Sequence, residues 1–369
     1  MIQGDTVIRI SLDDLGKNLD DLRRLAGPDV AVMAVIKANA YGHGAEAVAP
    51  VLLAHGAHYL AVARLEEALP LREKYPDAPL FVLGRTPDNL LQTAVQHQIA
   101  LTVFSLDQAR LLNRIAREMR TRAVVHLKIE TGFNRLGSDD TEELKRILLL
   151  PHLNVEGVYS HLALKDRPSD EVQLARFLDM VQELEKGGHV FRFKHIADSI
   201  SAVDYPDFRL NMIRPGAILY GMKGFESDAL SPRPVLSMET KVVRLRRLAI
   251  GEGVGYDLAW QAGRPSVIAT LPFGYGDGYP RCLSRNGYVT IHGVKCPLVG
   301  LMCMDQCVAD VTDVPQVQVG DTAIIYGDGT GNTLSIAEAA RLAETNKNEL
   351  LCRLTARPFR CYETKASQP

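Results

Sequence analysis

What most constrains the fold of this chain is a series of eight apolar stretches of strand length. They alternate with segments of helical character between residues 30 and 216. The strands read "VAVMAVI", "HYLAVA", "PLFVLG", "IALTVF", "AVVHLKIE", "NVEGVYSHL", "FKHIA" and "LNMIRPG". Amphipathic stretches such as "EAVAPVLLAHG", "LEEALPLREK", "LDQARLLNRIAREM" and "SDEVQLARFLDMVQELEKGG" lie between them, and Ser11 with Asp14 opens an earlier helix in the manner of a capping box. Near-continuous apolar strands interleaved with helices imply a parallel sheet covered on its faces. Eight such units imply an α/β fold with a closed, TIM-like (β/α)8 barrel. An open doubly wound sheet is the alternative, and the absence of a first-turn GxGxxG speaks against it.

From about residue 235 the pattern changes to short β-branched runs broken by glycine turns: "VLSMETKVVRLRRLAI", "SVIATLPFG", "GYVTIHGVKCPLVGL", "QCVADVTDV" and "DTAIIYGDG". This predicts a barrel over residues 10–234, followed by a mainly-β domain over 235–369 that also takes in residues 1–9, with one helix near "SIAEAARLAET". Within that domain "YGDGTGN" reads as a surface turn, since no Lys-Ser/Thr follows it.

With 42 basic and 44 acidic residues the formal charge is -2, which gives no electrostatic reason to expect nucleic acid or an anionic membrane as partner. Six cysteines lack any CxxC pair and read as reduced thiols without a metal signature. The opening "MIQGDTVIRI" has no basic segment leading into an apolar one, and no apolar run reaches the roughly 18 residues of a membrane span. The expectation is a soluble, cytoplasmic protein acting on a small molecule.

In a barrel of this kind the functional side chains stand at the C-terminal ends of the strands. Lys37 ends the first, Lys128 and Arg135 lie at or after the fifth, and His161, His195 and Arg214 end the sixth, seventh and eighth. Taken singly, each reads as a charged residue reaching water. Together they define one mouth.

The sequence here resembles the alanine racemases, pyridoxal-phosphate enzymes that interconvert L- and D-amino acids. The resemblance covers nearly the whole chain and rests on "AVIKANAYGHG", "HLKIETGFNRLG", "VEGVYSHLA", "HIADSISA", "MIRPGAILYG", "GEGVGYD", "LPFGYGDGYPR", "VGLMCMDQCVADVT" and "RPFRCY". It implies pyridoxal 5'-phosphate held covalently by Lys37, which also acts as the base for the D-isomer. A lysine suits this work because burial beside cations lowers its pKa and frees a nucleophilic amine. The base for the L-isomer is implied to be Tyr256, contributed by the other subunit of a homodimer. A phenol titrates near 10 in water and needs donors or positive charge to act as a base, a setting the resemblance assigns to His161. Tyr41, Ser199, Gly216 and Ala217 are implied to hold the phosphate, Arg214 to face the pyridine nitrogen, and His195 to orient Arg214. Arg135 and Met304, the latter from the partner subunit, are implied to contact the substrate carboxylate, and Lys128 to be carbamylated.

Two positions depart from the family pattern. Asn348, in "TNKNELLCRL", stands where a tyrosine usually lines the substrate pocket. A short amide opens volume and adds a donor and an acceptor, so the expectation includes activity on serine beside alanine. Asp198 stands where asparagine is common, a carboxylate near the phosphate end. The competing readings are a racemase whose main substrate is serine, a non-catalytic pyridoxal-phosphate barrel, and a barrel decarboxylase. The non-catalytic barrels lack a β domain, and the cysteine signature of the decarboxylases is missing.

Overall fold

The computed structural model describes residues 4–364. Residues 1–3 and 365–369, which the sequence reading counts in the β domain, lie outside that range. The chain forms two compact units, one of Leu15–Ala40 with Ala45–Pro232, the other of the stretch up to Asp14, Tyr41–Gly44 and the chain from Arg233 on.

The first unit is the barrel. Its strands are β2 (Ala31–Val35), β3 (Tyr59–Val62), β4 (Leu80–Val82), β5 (Ala100–Val103), β6 (Ala123–Lys128), β7 (Leu153–Tyr159), β8 (Phe193–His195) and β9 (Met212–Ile213), preceded in the chain by β1 (Val7–Ser11) of the second unit. They pair in parallel in the order β9-β2-β3-β4-β5-β6-β7-β8. Between β8 and β9, Lys194 N–H donates to Asn211 Oδ1 (2.7 Å) and Arg214 N–H to Ala197 O (2.9 Å), so side chain and backbone together bring the sheet close to closure. The covering helices are α1 (Leu12–Ala26), α2 (Ala45–Ala54), α3 (Leu65–Lys74), α4 (Leu91–Gln96), α5 (Leu106–Glu118), α6 (Thr141–Leu148), α7 (Arg167–Glu185) and the single turn α8 (Ser201–Asp204). Ser11 starts α1 as its sequence predicts: Asp14 N–H donates to Ser11 Oγ (3.2 Å), and Ser11 Oγ–H donates to Asp14 Oδ2 (2.8 Å).

In the second unit β1 runs between β10 (Leu236–Lys241), antiparallel, and β19 (Phe359–Glu363), parallel, within a six-stranded sheet. The sheet is completed by β15 (Tyr288–Ile291), β16 (Val294–Pro297) and β18 (Thr322–Tyr326). A three-stranded sheet joins β11 (Arg244–Leu248), β14 (Ser266–Leu271) and β17 (Cys307–Asp310), and β12 (Gly253–Val254) pairs with β13 (Trp260–Gln261). Where the sequence predicts one helix there are two, α9 (Ile336–Leu342) and α10 (Lys347–Cys352), the second capped by Asn346 Oδ1 on Glu349 N–H (2.9 Å). Among the described residues no helix is long and apolar enough to cross a membrane.

Candidate active site

Lys37 stands two residues beyond the end of the apolar strand β2, after the buried Ile36, and is half-buried. The four residues after it are unusual, because Ala38, Asn39, Ala40 and Tyr41 all take left-handed backbone angles, with φ of 53°, 55°, 55° and 52°. Left-handed helix costs an L-residue about 1–2 kcal/mol, so this turn needs local support. Ala40 N–H donates to Ile36 O (2.8 Å), Ala45 N–H to Asn39 Oδ1 (2.8 Å) and Ala38 N–H to Glu67 Oε1 (2.5 Å). A cavity opens beside Lys37, walled by Ala38, Ala63, Arg64, Glu66 and Glu67.

The other strand ends bring a cationic cluster to the same mouth. Lys128 Nζ stands 4.4 Å and Arg214 Cζ 5.2 Å from the centre of the Tyr159 ring. Arg135 Cζ lies 4.2 Å from the Phe133 ring, which is tilted against His161. Burial and the charges of Arg214, Lys128, Arg135 and Lys37 push the His161 imidazole down to about 2, so five groups share one field. Burial, with Arg214 and Arg135, likewise pushes the Lys128 amine down to about 7. Glu130 is the acidic member; burial opposes its charge, yet backbone N–H groups of Asn134, Gly132, Phe133 and Arg135 hold it below the ordinary carboxylate range.

Arg214 is buried and anchored by three acceptors: His195 Nδ1 (2.9 Å), Ser160 O (2.6 Å) and Ile196 O (3.0 Å). Burial lowers its pKa only to about 10, so it stays charged at neutral pH. Because an arginine only donates, His195 must accept at Nδ1 and carry its hydrogen on Nε2. That hydrogen points to His126 Nδ1 (2.8 Å), which places His126's own hydrogen on Nε2, 3.7 Å from Glu156 Oε2. Glu156 in turn accepts from Tyr59 Oη (2.6 Å) and Arg192 (2.7 Å). A polar column thus crosses a barrel interior that such folds fill with apolar layers. Gly157 makes room for it, since a Cβ there would stand 2.5 Å from His126 Nδ1.

Ser199 Oγ accepts the N–H groups of Gly216 (2.9 Å) and Ile218 (3.4 Å), at the start of the 3-10 turn Ala217–Tyr220. Asp198 is committed to local capping: its Oδ1 accepts from Ile200 N–H (3.0 Å), Ser201 N–H (3.1 Å) and Ser201 Oγ (3.0 Å). An asparagine oxygen would accept the same three bonds, so nothing in the structure explains the carboxylate there.

The barrel fits a dianionic aldehyde cofactor. It offers an excess of cations, a hydroxyl grouped with backbone N–H donors at a helical turn, and a half-buried lysine in their field. Among the described residues no group of three or more His, Cys, Asp or Glu side chains is placed to hold a metal.

The sequence of residues 10–224 matches the model of the alanine racemase N-terminal domain, and residues 235–362 that of the alanine racemase C-terminal domain. The chain belongs to the alanine racemase family. An alanine racemase of Methanococcus maripaludis is 37% identical over 363 residues, covering 96% of this chain and 97% of its own. The alanine racemase structure from Clostridium difficile has a TM-score of 0.92 at 34% identity, covering 98% of this chain and 97% of its own. A further structure, alanine racemase from Bartonella henselae with covalently bound pyridoxal phosphate, has a TM-score of 0.88 at 28% identity, covering 98% of this chain and all (100%) of its own. The family is pyridoxal-phosphate dependent, in keeping with the donor set of the barrel.

The remaining expected site residues of this racemase-family chain lie in the second unit. Tyr41 is buried, with its carbonyl accepting from His43 Nδ1–H (3.0 Å). Tyr256 is 65% exposed, on a turn that Gly255 and Asp257 enter with φ of 72° and 57°. Met304 is 53% exposed, and its carbonyl accepts from Gly276 N–H (2.8 Å). A Cβ at Gly274 would fall 2.3 Å from Cys303 O, so glycine is required for the two loops to meet. Asn348 is exposed in the first turn of α10. The sequence reading missed Glu67, His126, Glu156 and Tyr159. A signal existed for His126, which alternates with Lys128 on the inward face of an otherwise apolar strand.

Proposed function

We propose that this chain racemises alanine by a two-base mechanism in a homodimer with shared active sites. In this reading the barrel, residues 10–234, holds pyridoxal phosphate through Lys37, and the β domain, 235–369 with residues 1–9, completes the site of the partner. The observation that carries it is the convergence of Lys128 and Arg214 on the Tyr159 ring and of Arg135 on the Phe133 ring packed against His161, at the ends of the barrel strands and within the electrostatic reach of Lys37.

When bound, the cofactor draws electrons from the substrate's α carbon and acidifies its hydrogen. Lys37, beside one face of that carbon, takes or returns the proton of the D-isomer. The exposed phenol of Tyr256, supplied by a second copy, does the same on the opposite face for the L-isomer. His161, held neutral by burial and its cationic neighbours, can accept from a donor without adding charge. Tyr41, Ser199, Gly216 and Ala217 hold the phosphate. Arg214, fixed by His195 and two carbonyls, presents a proton it does not give up and keeps the cofactor ring nitrogen unprotonated, which restrains loss of the wrong proton. Arg135 and the second copy's Met304 receive the substrate carboxylate. Incubation with L-alanine in deuterium oxide, following optical rotation and α-proton exchange together, tests the mechanism. Loss of rotation with exchange supports it, and exchange with full retention of rotation overturns it.

Lys128 fits carbamylation because an amine pushed down to about 7 is largely neutral at pH 7.5 and free to attack carbon dioxide. Labelling with 13C-bicarbonate is expected to give one carbamate carbon signal in the wild type and none in Lys128→Ala. Absence of that signal in the wild type would show a free amine.

Activity on serine rests on Asn348 alone. Pocket room discriminates weakly, by about 1–3 kcal/mol per group, so Asn348→Tyr is expected to lower the serine-to-alanine ratio of kcat/KM by roughly tenfold. An unchanged ratio removes Asn348 from substrate choice.

A further inference from the structure

The left-handed turn after Lys37 is held at its first peptide by a side chain from another strand end. Glu67 sits in the first turn of α3, and one carboxylate does two tasks. Its Oε2 accepts Ala63 N–H (2.8 Å) and Arg64 N–H (3.1 Å), capping the helix, while its Oε1 accepts Ala38 N–H (2.5 Å), the amide immediately following Lys37. On the other side of Lys37, Ile36 N–H donates to Ala61 O (2.8 Å). The backbone of Lys37 is therefore bracketed by bonds to the end of β3 and the start of α3. Ala38 is exposed, with φ of 53° and ψ of 49°, a conformation that an alanine leaves readily unless held.

We propose that Glu67 is a positioning residue for the cofactor lysine: its bond to Ala38 N–H holds the left-handed turn and so fixes where the Lys37 amine stands beside the cavity. This rests on Lys37 as the lysine that carries the cofactor. The carboxylate is required because three N–H donors converge on it, and an amide offers only one oxygen. In Glu67→Gln that oxygen is better used on the two capping donors, which leaves an NH2 group facing Ala38 N–H. The cap survives and the bracket is lost.

The test compares E67Q, E67A, A38G and E67Q/A38G as holoenzymes, with pyridoxal-phosphate affinity measured by titration of each apoenzyme. E67Q is expected to keep the wild-type unfolding midpoint within a few degrees, lower kcat by about tenfold to a hundredfold, as for a reacting group displaced by up to about 1 Å, and change KM little. It is also expected to bind the cofactor about tenfold more weakly, since the lysine must be recovered from misplaced conformers. Glycine takes a positive φ without penalty, so A38G in the E67Q background is expected to recover much of both losses. E67A, which loses cap and bracket together, is expected to lower the unfolding midpoint as well. The proposal is overturned if E67Q leaves kcat and cofactor affinity within twofold of wild type, or if A38G recovers neither. Borohydride reduction and peptide mapping of the wild type separate this from the underlying reading. Cofactor found on a lysine other than Lys37 defeats that reading, whatever the Glu67 variants do.

Discussion

Mixing the Lys37→Ala and Tyr256→Phe variants, each nearly inactive alone, is expected to restore about a quarter of wild-type racemisation, because random pairing puts half of the chains' sites into mixed dimers and each mixed dimer has one intact site of two. Separately, each variant should lose roughly 10²–10⁴-fold in kcat, the usual worth of a positioned acid or base. The reasoning starts from placement. Lys37 belongs to the field of the barrel mouth, whereas Tyr256 is a solvent-facing phenol of the second unit, 65% exposed, with exposed Leu258 two residues on. The observable is the rate of rotation loss after the two variants are unfolded and refolded together, against each refolded alone. No recovery, with mixed dimers shown to be present, would mean that Lys37 and Tyr256 act from the same chain or that Tyr256 carries no proton.

Acidification is expected to lower the stability of the apoprotein progressively between pH 6.5 and about pH 4. Burial holds the imidazoles of His126, His161 and His195 below their ordinary range, that of His161 down to about 2, with Arg214 adding to each. Below pH 6.5 the unfolded chain takes up protons that the folded one refuses. The stabilisation is therefore complete above pH 6.5 and is lost as pH falls toward the folded values. Each such histidine contributes a slope of up to about 1.4 kcal/mol per pH unit between its unfolded and folded values, an interval that for His161 covers the whole range, against a usual total of roughly 5–15 kcal/mol. Glu156, held down to about 2 through His126, Tyr59 and Arg192 despite burial, adds a further loss at the acid end. Urea unfolding followed by circular dichroism at half-unit steps measures the slope. A stability unchanged from pH 7 to pH 5 would mean that these imidazoles are solvated or already charged in the folded state.

The barrel was legible because its strands are apolar almost throughout. All eight quoted stretches overlap a strand, α2, α3, α5 and α7 fall on the quoted amphipathic segments, and α1 starts at the Ser11 cap. The short helices α4 and α6 were not, since "LQTAVQ" and "TEELKRIL" are too brief for a period to stand out. The strand-end residues could be placed from topology alone, while the second unit's Tyr256, Met304 and Asn348 were named only through family resemblance. Periodicity marks which side chains are buried and not what an exposed one does. The turn after Lys37 was invisible for a different reason. Alanine at 38 and 40 favours the right-handed helix, and the left-handed conformation is supported by local bonds from Ala40 N–H and Ala45 N–H together with the bond from Ala38 N–H to Glu67, 29 residues away. No propensity scale registers that last, tertiary bond.

The placement of β1 bears on how the molecule is made. Arg9 meets Glu239 across 230 residues of chain and Glu363 across 354, so β1 waits for partners made long after it. Until then Val7, Ile8 and Ile10, all buried in the finished sheet, have no permanent cover. The barrel's strands, by contrast, each find a neighbour soon after emerging, apart from the closing contact of β2 with β9. A ribosome-bound chain would thus carry a finished or nearly finished barrel together with an adhesive, still unpaired β1, the species in which a chaperone or a second nascent chain finds its opening.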